Sequence, residues 1–319
     1  MTQYWKQRPA NWAIELRGVS KRFRRTQAVA GLSLHVPTGG VHGLLGPNGS
    51  GKTTTIRMLL GLLRADEGSM FIHDHKVPDD LPAVIDRVGA VVESPRMVAG
   101  FTLRRNLEVL AAATGTPLGR VTEVLLEVGL GARAETPFGA CSLGMKQRAA
   151  IAATLLKRPD ILIFDEPTNG LDPSGIQEIR STMRALAEQG RTVLVSSHLL
   201  SEIEQVATSV SIIGRGRVLA EGDLEVLLGG AQAHVVVEID ELALAHEVLR
   251  QAGYDCEIVA GRLHVAKDDG VEARAVARVL GLADLWPSYL SRHQASLESV
   301  FLDLTEGEHL TATQGRSAA

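Results

Sequence analysis

The chain has 319 residues, 45% of them hydrophobic and 22% charged, which is globular composition with enough length for about two domains. Its 33 basic against 37 acidic residues leave a formal charge of -4, the wrong sign for a dedicated nucleic-acid binder. Two distant cysteines, Cys141 and Cys256, make neither a disulfide framework nor a zinc cluster, and no run approaches the ~18 apolar residues of a spanning helix. Residues 1–10 are polar and lack the apolar stretch of a signal peptide, so a reducing, cytosolic setting is expected.

In chain order, residues 12–16 and 41–45 read as strands. Gly46, Gly49 and Gly51 follow the second at once. Apolar residues then recur at helical spacing through 52–63, so the order is strand, glycine loop, helix. A buried strand is expected at 88–92. Residues 94–156 are mostly helical, with helices at 103–113 and 121–128 around a turn at 114–119. Strand 160–164, amphipathic helix 173–189 and strand 192–196 complete an alternation that predicts a parallel α/β sheet. Gly229 and Gly230 mark a boundary. Beyond it the pattern predicts strand 234–239, helix 242–251, strands 256–259 and 262–265, helix 271–280, a strand near 285–290 and a last helix at 297–304. That order is a small ferredoxin-like βαββαβ unit, with Asp269 and Glu272 as a capping box for its second helix. The expected division is 1–228 with a helical subdomain at about 94–157, then an α+β domain at 229–305 and a tail at 306–319.

Gly46-Pro47-Asn48-Gly49-Ser50-Gly51-Lys52-Thr53 fits G-x-x-x-x-G-K-[ST] at every position, with Thr54 next on the helix. Its glycines let backbone N–H groups turn toward phosphate oxygens, and the helix start adds partial positive charge. Lys52 supplies a point charge for the β- and γ-phosphates, and the Thr53 hydroxyl suits Mg²⁺. Residues 161–165 form an apolar strand ending in Asp165 and Glu166. Asp165 is placed to hold Mg²⁺ through water, and Glu166 to polarise an attacking water. Together these predict a P-loop NTPase. His73-Asp74-His75 reads as a polar turn and Cys141 as an inert thiol.

Further motifs narrow the class. Cys141-Ser142-Leu143-Gly144-Met145-Lys146-Gln147-Arg148 resembles the signature motif of ABC-transporter ATP-binding proteins. Asn169-Gly170-Leu171-Asp172 resembles their D-loop, and Ser196-Ser197-His198 their switch-histidine loop. Phe23 matches the aromatic that stacks on adenine in that family, the other reading being a core aromatic. The resemblance spans residues 12–228, in the family's order and spacing. It implies a P-loop core of parallel sheet plus helical subdomain, with ATP and Mg²⁺ as ligands. Two subunits would face each other, Ser142 and Gly144 of one contacting the γ-phosphate held by the other. His198 would hold the γ-phosphate, the water and Glu166 in geometry. Asp172 would lie at the dimer interface while also capping the helix that starts at Pro173.

Three departures stand out. Glu93 occupies a position where the family has Gln, which implies a carboxylate on Mg²⁺ and a steeper magnesium dependence of ATP binding. Leu143 replaces a glycine and either crowds the phosphate or points away, and Met145 replaces Gln. The ending at 295–305 resembles ATPases paired with ABC-2-type permeases. The 91–95 and 141–145 variants resemble the bacitracin- and lantibiotic-type peptide-antibiotic branch, beside drug-resistance exporters. The resemblance therefore implies a cytoplasmic-face subunit of a separate membrane permease, docked near 93–106, with a homodimer sufficient and no nucleic-acid partner. The rival is a soluble ABC-type ATPase of repair, translation or cluster assembly. A single cassette without coiled coil or zinc module disfavours it. A GTPase reading lacks an Asn-Lys-x-Asp motif, and a degenerate regulatory subunit would not keep Lys52, Asp165 and Glu166.

Overall fold

The computed structural model describes residues 2–6, 11–92, 96–229, 234–259, 261–266, 271–293, 296–302 and 304. The chain divides into two compact units, Met1–Leu224 and Glu225–Ala319. The first opens with β1 (Thr2–Tyr4), β2 (Trp12–Phe23), β3 (Thr26–Pro37), β4 (Gly40–Leu45) and α1 (Lys52–Leu59). It continues with β5 (Glu67–Ile72), β6 (His75–Val77), α2 (Leu81–Val84), β7 (Val88–Val91) and the helices α3 (Leu103–Ala113), α4 (Gly119–Glu127) and α5 (Leu143–Thr154). β8 (Ile161–Asp165), α6 (Pro173–Glu188), β9 (Thr192–Ser197), α7 (Leu200–Glu204), β10 (Ser209–Gly214) and β11 (Arg217–Asp223) finish it, and α8 (Leu224–Gly229) crosses the boundary.

Seven strands form the main sheet in the order β1-β11-β10-β4-β9-β8-β7. β4, β9, β8 and β7 run parallel, and β10 joins β4 in parallel before turning back into β11. The three central strands are buried almost throughout, so they read as continuous apolar runs. Their register places Leu45 beside Ser197 and Asp165 beside Ser196. The carboxyl ends of β4, β8 and β9 therefore lie side by side, the edge where open α/β sheets bind ligands.

A second, antiparallel sheet has the order β3-β2-β5-β6. Sequence reading expects only a short strand at its start. β2 carries Arg17, Lys21 and Arg22, and its pairing slips around Gly18, which breaks the period-2 pattern. Ile14 and Leu16 of β2, Leu32 and Leu34 of β3, Met58 and Leu59 of α1, and Ile161 and Ile163 of β8 share one core. α1 stops at Leu59, short of the expected residue 63, because Gly61 takes a left-handed φ of 69° that ends the helix.

In the helical segment Leu103, Leu107, Val121, Val124, Ile151 and Ala152 turn inward. Thr102 caps α3 by accepting from the Arg105 N–H at 3.1 Å. Arg120, only 6% exposed, donates to Glu127 Oε1 at 2.5 Å, to Glu123 Oε2 at 2.8 Å and to the Leu155 carbonyl at 3.0 Å. Arg191, just before β9, takes the other oxygen of Glu127 at 3.1 Å. α4 is thus tied to the start of a central strand.

The second unit contains β12 (His234–Glu238), α9 (Leu242–Gln251), β13 (Asp255–Val259), β14 (Arg262–Ala266), α10 (Ala273–Leu282) and β15 (Tyr289–His293). Residues 297–302 and 304 are helical. Its sheet runs β13-β14-β12-β15 with every pair antiparallel, the strand order of a ferredoxin-like βαββαβ unit. Val235, Val237, Leu263 and Val265 face Ala245, Leu249, Val276 and Leu280 of the helices. The last strand starts later than expected. Leu285 is buried as a core residue before the strand, and Pro287 has no N–H to give a ladder. Asp269 of the expected capping box lies outside the described residues. α10 begins after Glu272, which makes no side-chain cap.

Candidate functional site: a phosphate loop facing two carboxylates and a histidine

The loop from Gly46 to Gly51 leaves β4 and enters α1. Gly46 adopts φ 155° with the Ile213 carbonyl so close that a Cβ would lie 2.2 Å from it. Gly51 sits at φ 107°, and a Cβ there would lie 2.7 Å from the Ala28 carbonyl. No larger residue fits either place. The loop is braced from the β10–β11 turn, where the Gly216 N–H donates to the Ser50 carbonyl at 3.0 Å. Ser50 is buried, and its hydroxyl finds no partner among the described residues. A buried hydroxyl left without a partner in a glycine loop at a helix start fits an incoming phosphate oxygen. Pro47, Asn48 and Gly49 form the exposed rim, and Thr53 and Thr54 are half-buried at the start of α1. The first turn of α1 carries no acidic residue, so its positive end is unopposed.

Lys52 is 5% exposed and folds back on its own loop. Its Nζ donates to the Gly46 carbonyl at 2.7 Å and lies 3.3 Å from Glu166 Oε1. The other oxygen of Glu166, Oε2, pairs with His198 Nδ1 at 2.8 Å. One carboxylate therefore joins the ends of β4, β8 and β9. Glu166 holds a left-handed φ of 49°, a conformation costing about 1–3 kcal/mol in a residue with a side chain. Its N–H is secured twice by Ser196, by the hydroxyl at 3.0 Å and the carbonyl at 3.2 Å. The Ser196 hydroxyl in turn donates to Asp165 Oδ1 at 2.5 Å. Sequence reading treats Ser196 only as part of a loop motif. The available signal is a serine at the end of an apolar run, which the fold buries fully beside Asp165.

The signature residues lie on a different surface. Ser142 is exposed and caps α5, its hydroxyl accepting from the Met145 N–H at 3.2 Å. Gly144 faces the start of α6, where a Cβ on it would sit 3.5 Å from Gly175 Cα. Among the described residues, none of these contacts reaches the phosphate loop. Leu143 is 46% exposed and lies over Gly170 of the D-loop, 3.5 Å from where a Cβ there would stand. Asp172 caps α6, with Oδ1 accepting from the Gly175 N–H at 3.3 Å and Pro173 in the first turn. Phe23 is 45% exposed at the end of β2 with the Lys21 ammonium 5.8 Å above its ring, so it is no core aromatic. Glu93 lies outside the described residues, with Ser94 and Pro95.

Beneath the site, His42 of β4 is fully buried between Ser209 Oγ at 2.8 Å and Ser211 Oγ at 2.9 Å. Burial, aided by neighbouring His35, pushes its pKa down to about 3. Burial pushes the Cys141 thiol up, the direction of an unreactive cysteine.

A phosphate loop, an acidic strand end and a switch histidine on adjacent parallel strands define a P-loop nucleotide hydrolase. Residues 29–169 match the family described as ABC transporter. Over 210 residues the chain is 43% identical to the bacitracin transport ATP-binding protein BcrA of Bacillus licheniformis, covering 65% of this chain and 69% of that one. Over 304 residues it is 34% identical to the daunorubicin/doxorubicin resistance ATP-binding protein DrrA of Streptomyces peucetius, covering 92% of each. It superposes with a TM-score of 0.59 and 25% identity on a dimeric post-hydrolysis ATP-binding cassette bound to ADP and phosphate, over 66% of this chain and 98% of that one. The chain belongs to the ABC-transporter ATP-binding proteins and is an ABC-type ATPase.

Proposed function

We propose that this chain is one of two ATPase subunits that clamp Mg-ATP between them and power a separate membrane permease exporting a drug or peptide antibiotic. The observation that carries the reading is the Glu166 carboxylate held between Lys52 at 3.3 Å and His198 at 2.8 Å, at the mouth of the phosphate loop. With nucleotide bound, Lys52 exchanges the Gly46 carbonyl for phosphate oxygens, which carry more charge. Its departure leaves Glu166 free to orient and polarise water, while His198 holds that carboxylate in place. Thr53 and Asp165 offer the hard oxygen donors that Mg²⁺ favours, and they flank the loop holding the orphaned Ser50 hydroxyl. Bound there, the ion would neutralise charge on the β- and γ-phosphates.

Ser142, Gly144 and Asp172 present a surface suited to the γ-phosphate held by a second copy, since Ser142 is exposed at a helix start. Phe23 offers an open aromatic face for adenine. The permease would seat in a cleft of about 480 Å³ lined by Ile85, Val88, Val91, Met97 and Leu110. Among the described residues no helix is long and apolar enough to cross a membrane, so attachment runs through that permease at the cytoplasmic face. Bacitracin and daunorubicin/doxorubicin, named for two relatives, indicate the cargo class.

Light scattering of Glu166→Gln with Mg-ATP tests the clamp, the expected result being a doubling of mass that ADP does not produce. Monomers under both conditions would sink it. Co-expression with a candidate permease should carry the chain into the membrane fraction. Sedimentation with ribosomes or DNA instead would favour the soluble rival.

A further inference from the structure

We infer that Ser196 is a positioning residue for hydrolysis, its hydroxyl locking Asp165 and Glu166 into one oriented unit. The inference deepens the site reading above and rests on it. A serine hydroxyl has one proton and two acceptor lone pairs. The Glu166 N–H can only donate, so at 3.0 Å it occupies a lone pair of Ser196 Oγ. The single hydroxyl proton is then directed at Asp165 Oδ1, 2.5 Å away, the length of a hydrogen bond to a carboxylate. The chain of bonds runs from the Glu166 backbone through the Ser196 side chain to the Asp165 side chain, and its direction is fixed by chemistry.

Three features make this unit functional in form. Ser196 is fully buried, so no water competes for its hydroxyl. β8 and β9 pair with Asp165 opposite Ser196, so the contact is set by sheet register and not by a mobile loop. Glu166 is the residue at which the chain leaves β8 through a left-handed turn. The backbone bond to the Ser196 carbonyl alone would fix the peptide but leave Asp165 unanchored. With the hydroxyl, one Asp165 oxygen is held in a fixed orientation, which would leave the other for a cation at the phosphate loop, and the Glu166 side chain starts from a defined point. Ser196 touches neither nucleotide nor water in this scheme. It acts through its two neighbours.

The test uses the full-length protein with Ser196→Ala, Ser196→Thr and, as control, Glu166→Gln. Turnover is measured against ATP and against free Mg²⁺, and ATP binding is followed calorimetrically through a magnesium series. Losing one hydrogen bond to a charged group corresponds to about 10–100-fold, so kcat of Ser196→Ala should fall by that factor with KM for ATP within about threefold. The magnesium concentration at half-maximal ATP binding should rise several-fold, a change that a merely structural loss would not produce at unchanged ATP affinity under saturating magnesium. Ser196→Thr, which keeps the hydroxyl, should recover kcat and the magnesium midpoint to within about threefold of wild type. If Ser196→Ala melts below the assay temperature, kcat and the magnesium midpoint are compared with wild type at a temperature where the variant is folded, and the same losses are expected there. Wild-type kcat and magnesium midpoint in Ser196→Ala, with Glu166→Gln inactive, would overturn the inference while leaving the site reading intact. A threonine variant as impaired as alanine would also overturn it. Full turnover in Glu166→Gln would bring down the site reading itself, and the inference with it.

Discussion

Lys52 illustrates how one side chain serves two states. In this conformation its ammonium lies against the Gly46 carbonyl and Glu166, which offsets the cost of burying it. Lys52→Ala leaves both the phosphate and Glu166 without that charge, and ATP affinity should fall by about 10–100-fold in a calorimetric titration. His42 makes a different kind of prediction. Its folded pKa of about 3 lies below the unfolded value near 6.5, so the unfolded chain binds the extra proton between those limits. The stability it contributes is complete above pH 6.5 and is lost as pH falls toward 3, with a slope of up to about 1.4 kcal/mol per pH unit. Between pH 7.5 and pH 5.0, urea denaturation should show wild type losing about 2 kcal/mol more than His42→Gln, which keeps a polar group but does not titrate. Glu93 keeps its sequence-based prediction: Glu93→Gln should flatten the magnesium dependence of ATP affinity, and superimposable curves would refute it.

At the scale of elements, the helical segment is held to the sheet by a buried charge cluster as well as by apolar packing. Removing Arg120 leaves Glu127 to Arg191 alone and takes one of two donors from the Leu155 carbonyl. Arg120→Ala should therefore cost about 1.5–3 kcal/mol, the range for hydrogen bonds to charged groups, in chemical denaturation. By contrast Leu143 is half-exposed, and Leu143→Gly should move stability mainly through helix propensity, by about 1 kcal/mol. Legibility follows the same physics. α3, α9 and the central strands have clean periods because each buries one face or both, and they lie within a residue or two of expectation. β2 and β3 were not legible as a long hairpin. Their pairing slips at several points, and charged residues occupy half-buried positions, so no single period survives.

For the whole molecule, each unit has a core of its own, centred on the sheets in the first and on β12, β14 and the two helices in the second. A fragment ending at residue 229 should therefore fold and bind Mg-ATP within about threefold of the full chain, because the phosphate loop's braces all lie in the first unit. Failure of that fragment to fold would show that the second unit completes the first.

Sequence alone determined the chemistry on offer: the phosphate loop, the acidic strand end, the histidine after β9 and the order of elements around them. It could do so because these signals are local, carried by residue type at fixed spacing. Only the tertiary structure decided that Lys52, Glu166 and His198 converge, that Phe23 is open and not a core residue, that Leu143 lies over Gly170, and that Ser196 ties the Glu166 backbone to the Asp165 carboxylate. The convergence at the site depends on the register between strands about thirty or more residues apart, and the other two facts on contacts or exposure set by the whole fold, which no single stretch of sequence encodes.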